Sequence, residues 1–411
     1  MRILINPVGS HGDVLPFVAL GKSLRDRGHD VRLYTSAYFE PLVREAGLAF
    51  SPTMSAEDYL SMINNPDINH PIRVLRIAVQ MAEKYLGITY EAMARDIVPG
   101  NTAIVGPAHA FAIRSVADVH QVPVATVHLQ PVAFRSKYEA RRMSARMPSG
   151  AAPGMFTPLA WRLADLIVDN TIGKAINRHR SKLGLSPVRR LLHEWIHQVD
   201  VLIGMFPPWF APAQQDWPHH LHQTGFPLYD HGPSITLPAT VEAFLASGEP
   251  PVAFTVGTAT TVAREFFEVS VEACRQSGRR GILLAAHDAQ FPTGLPASVA
   301  TFSYVPFGAL LPRLAAFVHH GGIGTTSQAF RAGVPQLIRP IAHDQFDNSF
   351  RAQKLGVALE LLPKDYKVSA AVAALDRLIG DKTLKLRCSE LARLVETDGI
   401  AVACDRILEG V

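Results

Sequence analysis

The stretch Phe317-Val-His-His-Gly-Gly-Ile-Gly-Thr-Thr-Ser-Gln328 constrains this chain more than any other. A short apolar run ends at His319, glycines follow at 321, 322 and 324, and helical spacing resumes near Thr325. A strand that turns tightly into a helix is the repeating unit of a parallel α/β sheet. Such a turn also presents unpaired N–H groups and the positive end of a helix dipole, which makes an anion site. Thr325 and Thr326 add hydroxyls there. No Lys follows as in a P-loop, and the next strand, 336–339, lacks the acidic residue of a dinucleotide fingerprint.

The same alternation runs through both halves. Strand-like runs at 2–6, 31–35, 103–105 and 122–128 alternate with helical spacing at 15–27, 41–46 and 112–120. After residue 251, strands at 252–256, 281–285, 300–304, 316–319 and 336–339 alternate with helices at 265–277, 310–314 and 325–332. Right-handed crossovers then give one parallel sheet per half, and 411 residues suffice for two domains. Prolines at 207, 208, 212, 218, 227, 233, 238, 250 and 251 read as the interdomain connection, and the basic stretch 131–190 as a helical insertion. The expected organisation is an N-terminal domain over 1–230, a C-terminal domain over 231–393, and a last helix, 394–411, returning to the first. The fold class is α/β, two doubly wound Rossmann-like domains with ligands held in a cleft at the carboxyl ends of the strands.

Composition removes other classes. Cys274, Cys388 and Cys404 are too few and too far apart for a disulfide framework or a zinc ribbon. His219-His220-Leu-His222 has no Cys or carboxylate partner at ligand spacing, and the chain has no Asp-x-Asp, so no metal is expected. A net charge of +4 is too small for a nucleic-acid binder. The excess lies in the first 230 residues, and Arg135, Lys137, Arg141, Arg142 and Arg146 face only Glu139 locally. Segment 135–146 therefore reads as a solvated face, or as a contact with an anionic substrate or the inner membrane surface. No apolar run approaches the ~18 residues of a membrane span, and the opening residues lack a signal peptide's shape, so a cytoplasmic protein is expected.

At the other end of the chain, Val8-Gly-Ser-His-Gly-Asp-Val-Leu-Pro16 joins the first strand to the first helix. Asp13 or His11 on this turn would face a ligand as a general base, while Asp13 would equally cap a helix starting at Val14. His109, after the strand at 103–105, is a further candidate partner.

His320-Gly-Gly322, Gly324-Thr325, Gly333-Val-Pro335 and Asp344-Gln345, at this spacing, resemble the donor-binding signature of nucleotide-sugar-dependent, inverting family 1 glycosyltransferases of the GT-B fold. The resemblance covers essentially the whole chain. Trp209-Phe-Ala-Pro212, Thr224-Gly-Phe-Pro227, Gly308-Ala-Leu-Leu-Pro312 and Ala342-His-Asp-Gln-Phe-Asp-Asn348 are similar to segments of the bacterial rhamnosyltransferases of rhamnolipid synthesis.

The resemblance implies roles. Asp13 would be the catalytic base, with His11 beside it. Tyr304 would stack on the nucleobase, Val305 would offer its backbone to the base edge, and Thr258 would lie near the diphosphate. His320, Gly322 and the amides of Gly324, Thr325 and Thr326 would hold the phosphates. Asp344 and Gln345 would bond sugar hydroxyls, unless Asp344 is an ordinary helix cap. One departure stands out: many UDP-sugar enzymes carry a Glu for the ribose hydroxyls where this chain has Gln328. An amide offers one acceptor oxygen, which suits a deoxyribose and hence a dTDP-sugar.

The implied activity is metal-independent transfer of a sugar, rhamnose or another deoxysugar, from a dTDP donor to a hydroxyl of a small lipophilic acceptor such as a hydroxy-fatty-acid ester. No cofactor is implied, because the nucleotide sugar is a substrate. A UDP-glucose-dependent glucosyltransferase of a hydrophobic natural product, a nucleotide-sugar 2-epimerase and a non-catalytic nucleotide-binding subunit are the rival readings.

Overall fold

The structure, a computed structural model, describes residues 1–70, 73–147, 154, 157–229, 236–257 and 263–411. It divides into two units. Unit 1 comprises Met1–Arg141, Gly150–Pro227 and Thr397–Val411; unit 2 comprises Arg142–Ser149 and Leu228–Glu396.

Unit 1 is built on a parallel sheet of β1 (Arg2–Ile5), β2 (Asp30–Ser36), β3 (Ala49–Met54), β4 (Thr102–Gly106), β5 (Val124–His128), β6 (Val201–Gly204) and β7 (Leu221–Gln223), in the order β3-β2-β1-β4-β5-β6-β7. The central strands are continuous apolar runs because helices cover both faces; Ile3, Leu4 and Ile5 are wholly buried. Pro52 is tolerated in β3 because that strand lies at the sheet edge. The strand order reverses between β1 and β4, so their carboxyl ends open a crevice.

Unit 2 repeats the plan with β8 (Val252–Thr255), β9 (Gly281–Leu284), β10 (Val299–Phe302), β11 (Ala316–His319), β12 (Gln336–Ile338) and β13 (Ala358–Glu360), in the order β10-β9-β8-β11-β12-β13. Its reversal lies between β8 and β11.

Several elements differ from the sequence reading. The first helix is His11–Asp26, starting before residue 15 because Ser10 caps it. β3, β7, β13 and the long Val74–Ala94 helix carry no clean pattern in the sequence. Residues 207–227 are not a linker: Phe210, Trp217 and Phe226 are buried in unit 1, and the prolines shape the loop that holds them. The expected boundary at 230/231 falls outside the described residues.

The insertion contains the helices Thr157–Asn170 and Ile172–Lys182, but 134–147 is not helical. Nor is 135–146 a continuous basic face. Arg135 is buried in an ion pair with Asp165 (2.7 Å) and Arg142 in one with Glu360, leaving Lys137 and Arg146 exposed. The Gly399–Gly410 helix packs on the first helix, where Arg27 Nη1 meets Asp405 Oδ1 at 2.5 Å. All three cysteines are buried.

Candidate active site

In unit 2 the anion turn joins β11 to the Ile323–Ala332 helix, with Gly322 as its N-cap. The turn is locked by His319, which the sequence alone marks only as a strand end. Its Nε2 donates to Gln336 Oε1 (3.0 Å), and its Nδ1 accepts from the Gly321 amide (3.0 Å). Burial pushes this imidazole down to about 3, so it is neutral. Gly321 sits at φ +90°, where a Cβ would come within 2.7 Å of Ile338. The adjacent histidine pair, one member ending a buried strand, was the available signal.

His320 is packed between two glycines. A Cβ at Gly257 or at Gly322 would stand 2.5 Å from its ring. Burial lowers His320 to about 4 as well, and its Nδ1 is buried with no hydrogen bond among the described residues. It can bond a phosphate oxygen but brings no charge.

The expected role of Thr326 is corrected. The helix begins at Ile323 rather than near Thr325, so the Thr326 amide is already inside the ladder, donating to Gly322 O (2.9 Å). Its side chain is fully buried. The amides that precede the ladder are those of Ile323, Gly324 and Thr325, and nothing lies within 4 Å of where a Gly324 Cβ would stand. Ile323 is a donor the sequence reading missed. Gln328 follows Gly324 by one turn on the same face and is 7% exposed.

After β12, the chain passes His343 at φ +56°, a strained conformation for a non-glycine residue, and enters the Gln345–Lys354 helix. Asp344 makes no capping bond to that helix; its Oδ2 accepts from Asn348 Nδ2 (2.7 Å). The Gln345 Oε1 accepts from the amides of Ile341 and Ala342 (2.8 and 3.1 Å), which leaves its NH₂ group to donate. Asn348 Nδ2 also donates to Gly321 O (3.0 Å), tying this helix to the anion turn. Beyond β10, Tyr304 is 48% exposed and outside the core, whereas the Val305 side chain is buried and offers only its backbone. Thr258 lies outside the described residues.

In unit 1 the Val8–Pro16 turn follows β1. Asp13 does not cap a helix from Val14. It is the third residue of the helix that Ser10 caps, and its Oδ2 accepts from the Ser10 amide (2.8 Å) and hydroxyl (2.9 Å). Gly9, at φ +125°, makes room, since a Cβ there would lie 2.4 Å from that oxygen. Asp13 Oδ1 has no hydrogen bond among the described residues. The His11 ring stands edge-on to Tyr38 and Phe39 at 5.4 and 5.0 Å. His109, after β4, donates from Nε2 to Val8 O (2.9 Å), so it braces the turn's backbone.

Among the described residues, no three His, Cys, Asp or Glu side chains are grouped to hold a metal ion. His220, from the histidine-rich run, donates to His197 O (2.9 Å).

Known proteins share this construction. Residues 3–128 match the glycosyltransferase family 28 N-terminal domain, and residues 281–401 match the erythromycin biosynthesis protein CIII-like C-terminal domain. The chain is 31% identical to the O-mycaminosyltylonolide 6-deoxyallosyltransferase of Streptomyces fradiae, across 100% of this chain and 97% of that one. It is 30% identical to the vancomycin aglycone glucosyltransferase of Amycolatopsis orientalis, across 100% and 98%. The crystal structure of glycosyltransferase VinC in complex with dTDP matches with a TM-score of 0.68 at 19% identity, covering 100% of both chains.

Two doubly wound units of this kind are the GT-B fold. The chain belongs to the erythromycin CIII-like GT-B glycosyltransferases, and it is a glycosyltransferase. No helix among the described residues is long and apolar enough to cross a membrane.

Proposed function

We propose that this enzyme transfers a deoxyhexose such as rhamnose from a dTDP donor to a hydroxyl of a small lipophilic acceptor, such as a hydroxy-fatty-acid ester, with inversion and without metal. The observation that carries the reading is the open first turn of the Ile323–Ala332 helix at the β8/β11 reversal. Asp13 stands at the corresponding β1/β4 reversal of unit 1.

Asp13 Oδ1 takes the acceptor's hydroxyl proton as that oxygen bonds to the sugar C1. The C1–O bond to the diphosphate breaks, and its electron pair leaves with the nucleoside diphosphate. The amides of Ile323, Gly324 and Thr325 and the helix dipole meet that charge. Attack from the face opposite the leaving group inverts C1.

Gln328, the 6-deoxyallosyl activity of the Streptomyces relative and the dTDP bound to VinC support a dTDP-deoxysugar. The Amycolatopsis relative, named for glucosyl transfer, supports the rival reading of a glucose donor. A lipophilic acceptor is supported by Leu159, Leu163, Leu166 and Ile167, which are exposed along one face of the Thr157–Asn170 helix in the insertion. The burial of Arg135 and Arg142 removes most support for membrane contact through 135–146.

Thermal-shift titrations with dTDP, UDP and GDP test the donor site. Stabilisation by dTDP above the others is expected, and no stabilisation by any of them would overturn the reading.

A further inference from the structure

Arg142 follows unit 1 in the sequence but is folded into unit 2. The chain leaves unit 1 at Arg141, and Arg142–Ser149 belongs to unit 2. Arg142 is 7% exposed and anchors this excursion. Its guanidinium forks onto Glu360 at the end of β13, with Nη1 to Oε2 at 2.5 Å and Nη2 to Oε1 at 2.8 Å. Its backbone amide donates to Asp347 Oδ1 (3.0 Å).

Both acceptors bear on the Gln345–Lys354 helix. Ser349 Oγ donates to Glu360 Oε2 (2.6 Å), and Arg351 Nε donates to Asp347 Oδ2 (2.7 Å). Next to Asp347, Asn348 holds the Asp344 carboxylate and the Gly321 carbonyl. A buried polar chain therefore runs from Arg142 to the helix that opens with Asp344 and Gln345.

Stability alone is a poor account of this arrangement. Well-packed apolar residues often replace a buried ion pair without loss, whereas a bidentate fork adds a fixed orientation. The helix so fixed begins just after strained His343, with Asp344 and Gln345, the pair that the resemblance assigns to the sugar hydroxyls, at its start.

We propose that Arg142 is a positioning residue for the donor sugar: the N-terminal half of the chain lends it to unit 2, where it sets the helix that presents Asp344 and Gln345. This rests on the donor-site reading given above. The hexosyl part of the donor should depend on Arg142, while the diphosphate, held at the Ile323–Thr325 turn, should depend on it far less.

The test is calorimetric titration of the full chain with dTDP, dTDP-glucose, UDP and UDP-glucose. Arg142→Met should weaken the better-bound sugar nucleotide by about 10-fold or more, as expected when groups are displaced by a fraction of an ångström to an ångström. Its parent diphosphate should weaken by no more than about 2-fold on the same basis. Glu360→Gln keeps the shape of the site and guards against misfolding; it should show the same split at smaller size. Arg142→Lys, which keeps the charge but not the fork, should recover only part of the loss. Equal losses for sugar nucleotide and diphosphate, or no loss in either, would overturn the proposal while leaving the donor site intact. Should the wild type bind none of the four, the donor-site reading falls and this inference with it.

Discussion

Asp13 Oδ2 accepts two hydrogen bonds from Ser10, from its amide at 2.8 Å and its hydroxyl at 2.9 Å. One carboxylate oxygen is therefore committed to the helix start, while the other is left to act. The two roles can be separated by substitution. Asp13→Asn keeps an acceptor for Ser10 but cannot take a proton, so kcat should fall by about 10²–10⁴ while donor affinity and melting temperature stay near wild type. Asp13→Ala should lose the same activity and in addition about 0.5–2 kcal/mol of stability from the broken capping box. Full turnover by the Asn variant would remove Asp13 as the base.

Gly324 gives a test of the anion turn that does not depend on damaging the protein. A Cβ at this position meets nothing within 4 Å, and alanine favours a helix over glycine by about 0.8–1 kcal/mol. Gly324→Ala should thus be neutral or slightly stabilising when empty. The added methyl would occupy the space offered to a phosphate, so affinity for dTDP should drop much more than affinity for thymidine. Activity should also persist in EDTA if, as proposed, amides rather than a metal meet the leaving group. Equal affinity of wild type and variant for dTDP would move the diphosphate elsewhere.

The alternation of strand and helix was legible because central parallel strands such as Ile3-Leu4-Ile5 must be apolar on both faces. Of the four edge strands only β10 was: β7 reads Leu-His-Gln and β3 contains Pro52, since edges tolerate polar residues and proline. The Asp13 turn and the Gly-rich turn were legible as motifs, but their helix starts were misplaced by two to four residues. That small error made Thr326 a ligand and overlooked Ile323, because capping decides which amides are spent. Arg142 was read as part of a charge run; its partner Glu360 lies far along the chain, and no local pattern records a long-range pair.

Four buried histidines set the acid limit of the fold. Burial holds His197 and His320 down to about 4 and His319 to about 3, and pushes His128 well below its ordinary value. Their folded-state values lie below the ~6.5 of an unfolded chain, so between these values the unfolded state binds more protons. Their contribution is fully present above about pH 6.5 and is lost as pH falls towards the folded-state values. Each such histidine adds a slope of up to about 1.4 kcal/mol per pH unit. Urea midpoints should therefore fall steadily from pH 7 to pH 5, above the range where ordinary carboxylates titrate. A flat profile would show that these rings titrate at ordinary values in the native state.

Gln328 bears on which nucleotide the enzyme uses. It stands one turn behind Gly324 on the same helical face, so a pentose attached to a phosphate at Gly324 would meet it. A ribose offers two hydroxyl donors to the single oxygen of this amide, whereas a deoxyribose offers one. The wild type should accordingly bind dTDP more tightly than UDP. The thymine methyl could produce the same order, so dUDP must be compared with UDP to isolate the sugar. Gln328→Glu should then improve UDP, because a hydrogen bond to a charged acceptor contributes about 1.5–3 kcal/mol against about 1 for a neutral one. A net gain of about 1 kcal/mol corresponds to roughly five-fold in affinity. The position is only 7% exposed, so the new carboxylate keeps its charge best when the ribose hydroxyls are bound to it. The improvement should be larger for UDP, with two hydroxyl donors, than for dUDP, with one. Wild-type binding of UDP as tight as that of dUDP would break the link between residue 328 and the pentose, and the donor would then be a UDP-sugar.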